Sequence, residues 1–97
     1  MTRASMEIDL TMQIWKEGNM YVSYSPELDI SSCGETSEES KKNLHEAVEA
    51  FLEEAERMGT LRDILEESGF VKEETIWKRP QIITTEKVRF AFSPDNF

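Results

Sequence analysis

Tyr21 to Glu54, YVSYSPELDISSCGETSEESKKNLHEAVEAFLEE, decides how this chain is read. Tyr21 to Ser25 completes a strand starting at Met20, and Pro26, which cannot donate to a ladder, ends it. Leu28 to Cys33 is short enough for a third strand, and Gly34 supplies a turn. Thr36 or Ser37 then caps a helix, because Thr36-Ser37-Glu38-Glu39 has the capping-box pattern. Leu44, Ala47, Val48, Phe51, Leu52, Ala55 and Met58 recur at helical spacing as one apolar stripe. Phe51 and Leu52 are expected in the core between this helix and a sheet. Gly59 stands where a C-cap belongs, and Thr60 to Glu67 reads as a second, shorter helix.

Upstream, Met6 to Trp15 alternates with period two, with Ile8, Leu10, Met12 and Ile14 on one face. Glu17-Gly18-Asn19 is a turn short enough to join this strand to the next as a hairpin. Downstream, Phe70-Val71, Thr75 to Trp77 and Ile82-Ile83 are extended. Lys87 to Phe92 alternates again and is expected to be a final strand before a polar tail, Ser93 to Phe97. The fold class is therefore α+β: an antiparallel sheet of three to four strands with one long helix on one face, plus a short second helix. Residues 1–97 are expected to form one domain.

Twenty acidic residues against eleven basic ones give a formal charge of −9. Such a balance repels phosphate backbones and favours a basic protein as partner, while also serving plain solubility. The N-terminus has no apolar signal-like segment and no run approaches a membrane span, so the expected location is the cytoplasm, without membrane contact.

Chemistry is sparse. His45 is alone and lies one turn before Glu49, which suits a solvated pair. Asp9, Glu27 and Asp29 are scattered rather than convergent on a metal. Cys33 has no second cysteine, and is expected to be a small, partly buried hydrophobe. Glu35, Glu38 and Glu39 surround the helix start with negative charge, against nucleotide binding there. Trp15 and Trp77 suit either an interface or the margin of the core. No catalytic residue, metal site or cofactor is expected.

The ordered residues Tyr24, Pro26-Glu27-Leu28, Cys33-Gly34-Glu35-Thr36, Glu39, Asn43-Leu44, Glu46-Ala47-Val48 and Phe51-Leu52 resemble the N-terminal domain of HicB-like antitoxins of prokaryotic toxin–antitoxin pairs. Asp29-Ile30 replaces the Pro-Gly usual after Glu-Leu. The residues after Val88 do not read as the DNA-binding segment many such antitoxins carry. The resemblance implies an incomplete ribonuclease H-like fold, β-β-β-α-β, without catalytic carboxylates. It also implies a partner, a small basic HicA-type toxin that cuts messenger RNA, with Tyr24, Glu27, Leu28, Asp29 and Glu35 as candidate partner-binding residues. The alternative is a stand-alone oligomeric domain with a regulatory or structural role. The strand margins, Met6 to Trp15 and Lys87 to Phe92, lead us to expect a homodimer or higher oligomer, with no direct nucleic-acid binding.

Overall fold

The computed structural model describes residues 6–95. In chain order these form β1 (Glu7–Ile8), β2 (Gln13–Glu17), β3 (Met20–Ser25), β4 (Ile30–Gly34), α1 (Ser37–Met58), α2 (Leu61–Glu67), β5 (Val71–Glu73) and β6 (Ile76–Lys78). β2, β3 and β4 make an antiparallel sheet in that order. A second three-stranded sheet has the order β1-β6-β5, with β1 and β6 parallel and β5 and β6 antiparallel. The class is α+β, with the long helix packed on the antiparallel sheet. The strands thus fall into two small sheets rather than the single sheet expected.

The split arises inside the run read as one strand, Met6 to Trp15. Extending the β2–β3 register by two residues sets Thr11 opposite Pro26. Extending the β1–β6 register by three residues sets Thr11 opposite Pro80. In each continued register the residue that would oppose Thr11 is a proline, which lacks an N–H, so neither ladder could continue through this point. The backbone need is met locally: the Asp9 N–H donates to the Trp77 carbonyl (2.9 Å), and the Thr11 N–H donates to Glu27 Oε1 (3.0 Å).

Helix α1 begins as its sequence predicts. Thr36 is the N-cap, extended at φ −132° and ψ 161°, and its side chain accepts from the Glu39 N–H. The Glu39 carboxylate accepts in turn from the Glu35 N–H (3.4 Å). Gly59 closes the helix in the left-handed region at φ 73°, a conformation costly for residues with a Cβ.

The helix lies close to the sheet because the facing strand residues are small. Ser23 and Ser25 are fully buried, and the Ser23 hydroxyl donates to the Ser40 carbonyl (2.8 Å). A Cβ placed on Gly34 would stand 2.6 Å from the Ser40 nitrogen. On α1 the buried residues are Ser40, Leu44, Val48 and Ala55. Phe51 and Leu52, expected in the core, are only half-buried. Ala55, one turn further on, is buried, and α1 becomes fully exposed only over Glu56 to Met58. Met58 is 63% exposed at that end.

A second core gathers Leu65, Phe70 and Trp77, with Ile8, Leu10, Leu28 and Leu61 packed against it. Trp77 is therefore a core residue. Trp15, on the face of the sheet away from the helix, is 40% exposed.

Beyond β6 the chain forms no further strand among the described residues. Lys87 to Phe92, expected as a final strand, belongs to no strand among the described residues. Of the polar tail, Asn96 and Phe97 lie outside the described residues. Residues 79–95 are exposed throughout and give the molecule extents of 64 × 31 × 24 Å and a radius of gyration of 17.4 Å. A compact chain of this length would have a radius of about 12.5 Å.

Candidate partner-binding surface

The β3–β4 turn, residues 26–29, brings four of the five candidate partner-binding residues to one end of the antiparallel sheet. Asp29 turns the chain there at φ 55°, a left-handed conformation that Asp tolerates better than most residues. Its Oδ1 accepts from the Tyr24 hydroxyl (2.8 Å). That hydrogen bond, with smaller contributions from burial and from the Asp29 charge, raises the Tyr24 pKa above its ordinary value. Tyr24 also meets the Trp15 ring edge-on, with centroids 6.3 Å apart.

Glu27 and Leu28 are engaged by the fold. Glu27 receives the Thr11 N–H and, at 2.5 Å, the Thr11 hydroxyl, with the Ser25 hydroxyl at 3.4 Å. Burial alone would raise its pKa. The hydrogen bonds from Thr11, from its own backbone and from Ser25 outweigh burial and leave the carboxyl below its ordinary range. Leu28 packs on the Leu65–Phe70–Trp77 cluster. Glu35 lies at the opposite end of β4, about 17 Å away along a five-residue strand, so it does not share a patch with the turn.

The remaining carboxylates do not converge. Among the described residues no group of three or more His, Cys, Asp and Glu side chains comes together. His45 Nδ1 lies 3.0 Å from Glu49 Oε1 on the exposed face of α1, the pair its spacing suggests. An open groove of about 430 Å³ runs between the two sheets, bordered by Asp9, Thr11, Glu27 and Lys78. Lys78 is itself tied to Glu73 (2.7 Å), whose hydrogen bond and charge raise its pKa.

Two surface features stand outside the sequence reading given above. Trp15, Val22 and Cys33 stand directly opposite one another across β2, β3 and β4, forming an apolar row on the sheet face away from the helix. Cys33 is exposed there, not partly buried as expected, because it stands on the face opposite the helix. Hydropathy hides this row: in β3 Ser23 and Ser25 face the helix while Val22 and Tyr24 face outward, the reverse of the usual alternation. The second feature is charge segregation. From Lys78 onward Lys78, Arg79, Lys87 and Arg89 outnumber Glu86 and Asp95, leaving seven basic and eighteen acidic residues in residues 1–77.

No family model, curated protein or solved structure matches this chain. Among the described residues, no helix is long and apolar enough to cross a membrane.

Proposed function

We propose that this protein is a partner-binding module of the HicB-like antitoxin type that neutralises a small basic toxin in the cytoplasm, acting by binding and not by catalysis. The observation that carries the reading is the acidic body, eighteen acidic residues to seven basic within residues 1–77. Its exposed carboxylates line α1 at Glu46, Glu49, Glu53 and Glu56, and border the β3–β4 turn at Asp29. Such a surface speeds encounter with a basic protein and selects against polyanions. The element order lends partial support: within β-β-β-β-α-α-β-β, the three antiparallel strands β2, β3 and β4 lead directly into the long helix. Three strands followed by a long helix is the part of the β-β-β-α-β order implied by the resemblance that this arrangement matches.

The test is direct binding to the product of the neighbouring reading frame, measured by titration calorimetry at micromolar concentration. A small basic partner, bound and inhibited in messenger-RNA cleavage, is the expected result. Asp29→Asn and Glu35→Gln are each expected to weaken binding several-fold, with the loss shrinking as salt rises. No binding by a neighbouring basic protein, or none such encoded there, would overturn the reading. The stand-alone oligomeric alternative is favoured by one observation, the projecting chain beyond β6.

A further inference from the structure

We propose that Trp15, with Tyr24, Glu17 and Asp29, forms a site on the outer face of the antiparallel sheet that takes the guanidinium of an arginine presented by a basic protein. The inference deepens the proposed function and rests on it for the protein that presents the arginine, whereas the site is built from, and tested on, this chain alone.

Two aromatic rings and two carboxylates are joined there by direct contacts. Trp15 and Tyr24 are diagonal neighbours across β2 and β3, and their rings meet edge to face, with centroids 6.3 Å apart and planes at 69°. The Trp15 indole N–H donates to Glu17 Oε1 (2.9 Å), and the Tyr24 hydroxyl donates to Asp29 Oδ1 (2.8 Å). Each hydrogen bond restrains a ring and holds a negative charge at its edge. A carboxylate accepts up to about four bonds, so Glu17 and Asp29 keep capacity for an incoming donor. Trp15 remains 40% exposed, which leaves ring surface open to a ligand. Trp is the ring most favourable to a cation. Guanidinium, planar and weakly hydrated, stacks on such a ring while its N–H groups reach carboxylates.

The charge around the rings selects the occupant. By alternation from Trp15, Val22 and Cys33, the outward residues of β2, β3 and β4 include Glu17 and no Lys or Arg. The adjacent cation, Lys16, alternates to the other face, where its ammonium stands 5.7 Å from the Tyr21 ring centroid. That contact is of the same kind as the one Trp15 would make with the incoming guanidinium. The acidic body adds a long-range attraction for a basic protein. Val22 and Cys33 continue the row beside Trp15, so an apolar residue next to the arginine would lie along them. A purely apolar or an acidic partner would desolvate Glu17 and Asp29 without compensation, which argues against both.

The probe is the peptide acetyl-Ala-Arg-Ala-amide, titrated to millimolar concentration into the isotope-labelled full chain and followed by NMR. The indole N–H resonance of Trp15 is expected to shift saturably, while that of Trp77, in the core, stays in place. The analogue with citrulline, neutral and of the same shape, is expected to bind at least fivefold more weakly. Trp15→Leu is expected to abolish saturable binding while the far-UV dichroism is kept. Glu17→Gln is expected to weaken binding about threefold, and Glu53→Gln, on the exposed face of α1, to leave it unchanged. No saturable shift at Trp15, or equal binding of the citrulline peptide, overturns the cation site. Binding that survives Trp15→Leu overturns Trp15 as its centre. Peptide binding at Trp15 without any binding of a neighbouring basic protein overturns the toxin reading and leaves this site standing.

Discussion

Glu27 shows how one side chain can mend a defect that two others create. Pro26 and Pro80 stop the ladders on either side of Thr11, and the Glu27 carboxylate takes both the Thr11 N–H and its hydroxyl. Hydrogen bonds to a charged acceptor are worth more than neutral ones, and partial exposure lowers the figure. Glu27→Gln is therefore expected to cost about 1–2 kcal/mol at neutral pH. The folded-state pKa lies below the ordinary 4.5, so this contribution is complete above that value and is lost as pH falls through the folded one. The stability gap between wild type and variant, from urea titrations across pH 3–7, is expected to close on acidification. A gap that stays constant would show that the carboxylate charge does not matter here.

The helix–sheet packing rests on Gly34 and the buried serines, which bring α1 and β4 closer than larger residues would allow. Adding one methyl at Gly34 places carbon 2.6 Å from the Ser40 backbone nitrogen, and the obstacle is backbone, which cannot swing aside. Gly34→Ala is expected to destabilise by about 1–3 kcal/mol, whereas Gly18→Ala meets nothing within 4 Å and bears only the cost of its positive φ. Melting temperatures of the two variants check this. A larger loss at Gly18 would mean that the close approach is not what holds the helix in place.

At the scale of the molecule, two small sheets are held as one body by Glu27, Leu28 and the continuous chain from β1 to β2. Neither sheet of three strands has enough apolar cover to be stable alone. Phe70→Ala, in the second core, is expected to cost about 3–5 kcal/mol and to lower the melting of the whole body together. Far-UV dichroism and tryptophan fluorescence should therefore give coincident transitions. Fluorescence melting ahead of dichroism would show that the β1–β6–β5 sheet opens independently.

What the sequence by itself determined is what depends on residues a few positions apart. The Thr36 and Glu39 cap, the Gly59 terminus, the helical stripe, the Pro26 stop and the Gly18-Asn19 turn all stand where local chemistry puts them. Tertiary structure decided whatever needed a partner far along the chain. Met6 to Trp15 reads as one strand until Pro26 and Pro80 are brought to its two sides, one of them 69 residues away from Thr11. Val22 and Tyr24 face outward, and Ser23 and Ser25 inward, because a close-packed helix selects small side chains over apolar ones. Lys87 to Phe92 carries a strand's alternation, but a strand exists only where another backbone shares its hydrogen bonds, and that segment is in no strand among the described residues.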